Sequence, residues 1–455
     1  MARKKLSPLR KVFSDVSKED FCAVYLNWNR RRDSMTKLHW HVTRTIWRKR
    51  KFYAFISGLT WPLKAGMSAL KMTWLYGPGI KERTGLSVTR QFFQQIAVAI
   101  GHFITPRAYY FYGLYETANR KRVNMYVQDH EIGALLKSAN GVADYKVFAD
   151  KRRFIALCER FGLPAIGIIA EFEGGRVKRW GGAGQLELPQ SDLFAKPALG
   201  RCANGVLLYK FVSPGVYMDS SGSLTSDDEI IETLSKYSEK DPYILQKRLS
   251  NHPQIARLSP GALATSRVVT CCLPDGRCED IVAIFKMATG VNFADNFSIG
   301  GIAISVDKSS GILGAARTRN LQSGKLDCHP DTGARIAGFC IPHWHQVIQL
   351  CLEAHAVFSD YAFVGWDVAV TEDGPVLVEG NLDWGVESLQ RAHYSPLGET
   401  FFPEALLLHI NSLKNPGNVF SPSFHIDGNE MAKNSEKYDI QETGYILKKR
   451  KEALK

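Results

Sequence analysis

The stretch VGWDVAVTEDGPVLVEGN, residues 364–381, sets two carboxylates and an amide among residues that favour strands. Apolar side chains occupy even positions (Val364, Trp366, Val368, Val370, Val376, Val378), while Asp367, Glu379 and Asn381 occupy odd ones. Period two about Glu372-Asp373-Gly374 predicts a β-hairpin with one apolar face and a three-residue loop. In that register Asp367 faces Glu379, and Asn381 lies diagonally beside Asp367. Opposed carboxylates repel across a sheet, so a positive charge is expected between them. Three hard oxygens suit Mg2+ better than Zn2+, and Mg2+ keeps several waters and bridges to substrate phosphates. Asp367, Glu379 and Asn381 are therefore candidate magnesium ligands serving a polyphosphate. The plainer alternative is a solvated polar face on a half-exposed hairpin, which leaves the opposed acids unexplained.

A magnesium polyphosphate needs a cradle. Lys196 lies inside the apolar strand FAKP, where a lysine is rarely buried without a partner. ALGRCANGV follows, and Gly200 and Gly205 can turn backbone amides toward an anion. Lys151 opens a helix, whose N-terminus itself favours anions. Singly, each is a surface lysine or an ordinary turn; the combination carries the reading. ILQKRLSNHP (244–253) has the form of a strand leaving one lobe for another, with backbone groups able to meet an adenine edge. Arg267 and Lys286, on the next two strands, can meet phosphates or a carboxylate substrate. Asp295 and Asn296, in FADNFSIGG, fit either turn chemistry or a substrate role. His329, in the turn HPDTG, is a further substrate candidate, whereas His355 on an apolar helical stripe is a packed core histidine.

Regular elements must hold these groups. DKRRFIALCERFGLP reads as a helix with Phe154, Leu157, Cys158 and Phe161 on one stripe, stopped by Gly162 and Pro164. AIGIIAEF (165–172) and VLLYKFV (206–212) read as strands. Ser226 and Glu229 form a capping box ahead of a helix. SRVVTCCL with CEDIVAIFKM, and GGIAISV with the segment after it, read as hairpins. PHWHQVIQLCLEAHAVF (342–358) is a helix with Pro342 near its first position. The order predicts an α+β fold with two mainly antiparallel sheets. Residues 1–90 form a basic, Trp-rich helical region broken at Gly58, Pro62 and Gly77-Pro78-Gly79. Residues 91–144 are a lead-in with one helix and the aromatic run RAYYFYGLY. A first lobe spans 145–245, a second spans 246–414 and carries the metal site, and 415–455 is a loose tail.

Composition bounds the function class. The chain has 455 residues, 45% hydrophobic and 23% charged, which suits a globular protein of two or three domains. Nine cysteines with no C-x-x-C read as free thiols in a reducing compartment. The spacing of Cys271, Cys272 and Cys278 fits no zinc template, and core packing explains them better. The basic N-terminus lacks the apolar run of a signal peptide, and FFQQIAVAIGHFI (92–104) is too short and polar to span a bilayer. A cytoplasmic protein is expected. Charge is lopsided: residues 1–90 carry 20 Lys and Arg against 5 Asp and Glu, while the whole chain is +13, so the rest is near neutral. Five of nine Trp fall in the same segment. That pattern suits an anionic membrane surface at the inner face, and equally a basic helical cap with buried Trp. Nucleic acid is disfavoured, because no recognition module is present.

In this arrangement the chain resembles the ATP-grasp superfamily, and more narrowly its sugar-transfer-associated family found with polysaccharide biosynthesis. The matching pieces are DKRRF…FGLP, FAKPALGRCANGV, SRVVT, FADNFSIGGIAI, HPDTG, IPHWHQV and VGWDVAVTEDGPVLVEGN, in order across roughly 145–390. The resemblance implies two α+β lobes clasping ATP. By position, Lys151 and Lys196 would contact phosphate or adenine. Gln246 to Leu249 would form the adenine hinge, with Lys247 and Leu249 lending backbone groups. Asp367, Glu379 and Asn381 would hold Mg2+. Two departures stand out. Gly365 occupies the position where many ATP-grasp ligases carry an Arg, so either Arg267 or Lys286 substitutes in the phosphoryl step or that step is impaired. Gln246 stands where an acidic residue is common. The implied activity is a carboxylate–amine ligase acting through an acyl phosphate, on a small molecule or a lipid-linked glycan. A non-ligating nucleotide-binding scaffold of a glycan assembly complex and a hydroxyl kinase are the alternatives.

Overall fold

The computed structural model describes residues 21–25, 33–140, 145–180, 188–200, 205–290, 295, 297, 300–321 and 323–414. The tail from 415, Trp28, Cys202 and Asn296 lie outside the described residues.

Thirteen strands among the described residues form two sheets. The first has β1 (Ile168–Glu173), β2 (Arg176–Trp180), β3 (Leu193–Pro197), β4 (Leu207–Ser213), β5 (Val216–Asp219), β6 (Leu224–Ser226) and β7 (Tyr243–Lys247), in the order β2-β1-β7-β3-β4-β5-β6. The second has β8 (Thr265–Cys272), β9 (Cys278–Met287), β10 (Ile302–Val306), β11 (Leu313–Arg317), β12 (Phe363–Thr371) and β13 (Gly374–Asn381), in the order β11-β10-β9-β8-β12-β13. Every pairing between these strands is antiparallel. The expected lobe boundary at 246 falls inside β7, so the first sheet extends to Lys247.

Among the described residues, the helices that frame the sheets include α1 (Ser34–Lys49), α2 (Lys51–Thr84), α3 (Val88–His102), α4 (Pro106–Phe111), α5 (Asp129–Asn140), α6 (Lys151–Arg160), α7 (Asp227–Tyr237), α8 (Trp344–Val357), α9 (Val386–His393) and α10 (Phe402–Lys414). The capping box at Ser226 and Glu229 starts α7 as expected. Four readings change. The N-terminal region is more regular than its composition suggested, because α2 runs 34 residues through Gly58, Pro62 and Pro78. A proline removes only one backbone hydrogen bond, and packing against α3 holds the helix across the gaps: Trp61 Nε1 donates to the Ala99 carbonyl and Gln91 Nε2 to that of Gly77. The lead-in holds several helices rather than one. Pro342 lies outside α8, which is capped by His343 in a left-handed conformation. Finally, Cys272 and Cys278 are not free thiols but a disulfide, since β8–β9 pairing sets them directly opposite each other.

The second sheet is covered on both faces. Val268, Val364, Trp366 and Val368 pack with α6 and α8, and His355 is buried among them, bonded to Thr270 Oγ1 and the Tyr361 carbonyl. Val269, Cys271 and Phe363 face the other way into a core built with Tyr109, Tyr110, Leu135 and Phe402 from the helices. Alternation along β12 therefore sets Asp367 on the face covered by the N-terminal helices. His39 of α1 and Glu131 of α5, both buried, tie those helices together at 2.7 Å.

Candidate active site

The hairpin that opened the sequence reading forms, and Asp367 faces Glu379 with Gly365 opposite Asn381. It reaches that register by a different route. Thr371 pairs with Gly374, so the loop has two residues, and a bulge between Asp367 and Val368 restores the offset. In consequence Leu377 packs in the core opposite Val368, and Val378 joins Glu379 at the wall of a cavity.

That cavity, about 680 Å3, lies between the two sheets. Phe194 and Lys196 of β3 and Gln246 of β7 reach it from the first sheet, and Arg267, Lys286, Asp367, Glu379 and Asn381 from the second. Its volume falls in the range of small-molecule sites. Lys151, Gly200, Lys247, Leu249 and Asp295 also line it. Gly205 does not; its carbonyl accepts from the Tyr243 hydroxyl. His329 is also absent from the lining, and both ring nitrogens bind backbone, Nε2 at the Ala288 carbonyl and Nδ1 at the Asp331 amide, which makes it a buried turn histidine.

Asp367 is the centre of the electrostatics. Arg267 grips it with two parallel bonds, Nε to Oδ1 and Nη2 to Oδ2, each 2.6 Å. Lys286 Nζ lies 3.1 Å from Oδ1. Burial alone would raise the Asp367 pKa, but Arg267 and Lys286 hold it well below the usual carboxylate range. Part of the positive charge expected beside the opposed acids is thus supplied by β8 and β9. Asn381 Nδ2 reaches Glu379 Oε1 at 3.1 Å and Asp367 Oδ2 at 3.4 Å. Asp295 is pushed up by burial, with Lys286 pulling down and Asp367 pushing up; Thr265 Oγ1 donates to it.

Across the cavity, Lys196 is held down to about 8 by burial and by Lys151, with Glu379 pulling the other way. Lys151 is lowered by burial against the pull of Glu379 and Asp150, and its Nζ donates to the Gly200 carbonyl. Two lysines poorly solvated and only partly compensated are ready to take an anion. Asp367, Glu379 and Asn381 converge within hydrogen-bond reach; Asn381 turns its Nδ2 to both acids, and with that amide turned over the two carboxylates and the amide oxygen form a donor set that fits Mg2+. Among the described residues no group of three His, Cys, Asp or Glu side chains is placed to hold a metal, so the amide is needed to complete the set. Gln246 and Trp384 line the cavity, and Gln246 Oε1 and Trp384 Nε1 are buried with no hydrogen-bond partner among the described residues.

Residues 116–400, more than half of the chain, match the model of a family described as sugar-transfer associated ATP-grasp. The chain belongs to that family. The match begins well before the resemblance read from the sequence and takes in about half of the helical lead-in. No curated protein matches. Solved structures similar to it include an L-amino acid ligase from Bacillus licheniformis (12% identity, TM-score 0.31, covering 57% of this chain and 48% of that one). Others are a D-alanine–D-alanine ligase from Bacillus anthracis complexed with ATP (12%, 0.32, 59% and 68%) and the ATP-grasp ligase PsnB complexed with minimal precursor, Mg and ADP (12%, 0.30, 65% and 70%). The chain spans between about half and seven tenths of the length of these structures.

Within this ATP-grasp fold, Gly365 is explained by crowding. A Cβ there would stand 2.4 Å from Trp384 Cβ and 3.3 Å from Arg267 Cδ. The space beside Asp367 is thus filled from β8 and from the segment after the hairpin; Arg267 Nη1 also donates to the Trp384 carbonyl at 2.8 Å. Gly380 is equally tight, with the Phe148 ring 2.3 Å from where its Cβ would be. The sequence reading missed Trp384, Arg319 and the acids Asp129, Asp383 and Glu387, all in the lining. The run NLDWG directly after the hairpin was the available signal for Asp383 and Trp384; nothing local marks the others.

Proposed function

We propose that this protein is an ATP- and Mg2+-dependent ligase that joins a carboxylate to an amine, in the biosynthesis of a cell-surface polysaccharide. The carrying observation is one cavity between two sheets, with two desolvated lysines on one side and an Asp, Glu and Asn set on the other. Membership of a sugar-transfer associated family supports the glycan context.

Lys151 and Lys196 bind phosphate oxygens from the first lobe, and the backbone of Lys247 and Leu249, with Gln246, receives the adenine edge. Mg2+ held by Asp367, Glu379 and Asn381 would supply charge neutralisation on the phosphates. Arg267 stands in for the arginine that Gly365 replaces and, with Lys286, orients the carboxylate and the transferring phosphoryl group. A carboxylate oxygen attacks the γ-phosphorus, the bond to the bridging oxygen breaks and ADP leaves. The amine nitrogen then attacks the acyl carbon, loses a proton, and phosphate departs. Asp129, Asp383 and Glu387 line the rim beyond Trp384, where Arg107 pairs with Glu387 and Arg319 joins the lining, so that rim offers groups of both signs. Asp295 is the nearest protein carboxylate to Lys286 after Asp367 and helps to position it.

The test is ADP release from ATP and Mg2+ against a panel of sugar acids, amino acids and amino sugars. One pairing should release ADP and phosphate and yield an amide, and Asp367→Asn with Glu379→Gln should reduce turnover about a hundredfold or more. Phosphorylated product without amide would make it a hydroxyl kinase. A scaffold reading draws on the fork from Arg267, which occupies both oxygens of Asp367. It prevails if glycan modification survives the double substitution.

A further inference from the structure

One face of α2 is apolar, long and exposed. Residues 52, 55, 59, 63, 67, 70 and 74 (Phe, Phe, Leu, Leu, Met, Leu, Trp) recur every third or fourth position, which sets them on one side of the helix. Exposure runs from 47% at Phe52 to 71% at Leu63 and 79% at Trp74. At 1.5 Å per residue the stripe is about 33 Å long. It is not a core face turned outward by error. The buried side of α2 carries Tyr53, Ile56 and Trp61 and then the small and polar residues Ala65, Ala69, Thr73 and Gly77, and it packs on α3 with Gln95 Nε2 bonded to Thr73 Oγ1 at 2.7 Å. Trp47 of α1 and Phe93 of α3 are also exposed, at 43% and 64%.

Charge says what covers this face. Lys51 flanks the stripe on one side by helical angle, Lys64 and Lys71 on the other, and Lys81 stands at its end. Arg48, Lys49 and Arg50 sit beside Trp47 at the junction with α1. No Asp or Glu occurs from 34 to 81, and from 34 to 115 twelve Lys and Arg face a single acid, Glu82. A second copy docked face to face would press like charges together. A folded acidic partner would need an apolar ridge of equal length. A bilayer with anionic headgroups meets both demands at once: acyl chains for the stripe and phosphates for the flanking cations. No helix among the described residues is long and apolar enough to cross a membrane, so α2 would lie in the interface plane.

We infer that α2 is an interfacial docking helix, through which the protein binds a membrane surface rich in anionic phospholipid. The end of this helix leads to the cavity: Arg83 Nη2 donates to the Leu321 carbonyl at 3.2 Å, two residues beyond Arg319 in the cavity lining. The docking surface stands whether or not the ligase reading does.

The experiment is vesicle co-sedimentation of the full chain, with phosphatidylcholine alone and with phosphatidylcholine mixed with phosphatidylglycerol. The protein should bind the mixed vesicles, less so in high salt, and Leu63→Ser with Met67→Ser and Trp74→Ser should cut partitioning about tenfold or more. Should that variant misfold, brominated phospholipid gives an independent reading on intact protein: its quenching of tryptophan emission should be smaller in Trp74→Phe than in the unsubstituted chain. Absence of binding to mixed vesicles overturns the inference. So does binding that the triple substitution leaves intact, or a solution dimer that the same substitution splits into monomers.

Discussion

At the scale of single residues, the candidate site is a problem of unequal compensation. Asp367 has two cations at bonding distance and stays ionised, whereas Lys196 has burial and a neighbouring lysine against it and only the pull of Glu379 in its favour. The sign of the pH effect follows. Free Lys196 loses its proton near pH 8, and a bound polyphosphate favours the charged form. Nucleotide binding must then take up a proton above that pH, so affinity should fall as pH rises through about 8, by up to tenfold per pH unit. Calorimetry with ATP and Mg2+ between about pH 7 and pH 9.5 reads this directly. Lys196→Gln should bind more weakly and lose that slope. A flat profile in the unsubstituted protein removes Lys196 from the phosphate contact. These charges were legible only as residue types. The sequence reading expected positive charge between the acids but did not find the arginine that grips Asp367, because it lies one hundred positions away, on a strand whose pairing no local pattern shows.

At the scale of elements, the β12–β13 hairpin shows how the same side-chain juxtaposition can arise from different backbones. Alternation alone predicted the facing acids, because period two is a local property of strands. Loop length and bulge compensate each other and leave that outcome unchanged, so sequence could not distinguish them. The glycines were less readable still. Gly365 looks like a missing catalytic arginine until Trp384 is seen against it. Gly365→Ala should force Trp384 or β12 to move, costing about 1–3 kcal/mol in denaturant unfolding. An unchanged midpoint would show that the site is looser than its packing indicates. The long α2 makes the complementary point: helix breakers counted one at a time predicted interruptions, and the side of α2 packed on α3 overrode them.

At the scale of the whole molecule, the two sheets are linked where β7 leaves the first lobe and where backbone bonds join Pro164 and Ile166 to Leu377 of the hairpin. A ligand held between the sheets should therefore stabilise both. ATP with Mg2+ at about one hundred times its dissociation constant should add about 2.7 kcal/mol to stability. Thermal melting should shift upward by a few degrees, and the shift should vanish in Asp367→Asn with Glu379→Gln. A shift confined to one of two resolved transitions would mean that the nucleotide engages a single lobe.

By itself the sequence determined the α+β class, the hairpin with its facing acids, the capping box of α7 and the excess of positive charge in the first ninety residues. Each of these depends on near neighbours in the chain, through period two, period 3.6 or simple addition of charge. Tertiary structure alone decided which cations answer Asp367, which glycines are crowded, that Cys272 and Cys278 join, that His329 is buried in its turn, and which side of α2 is left bare. Those outcomes depend on distances between segments far apart in the chain, and burial, pKa and exposure are set by such distances rather than by residue type.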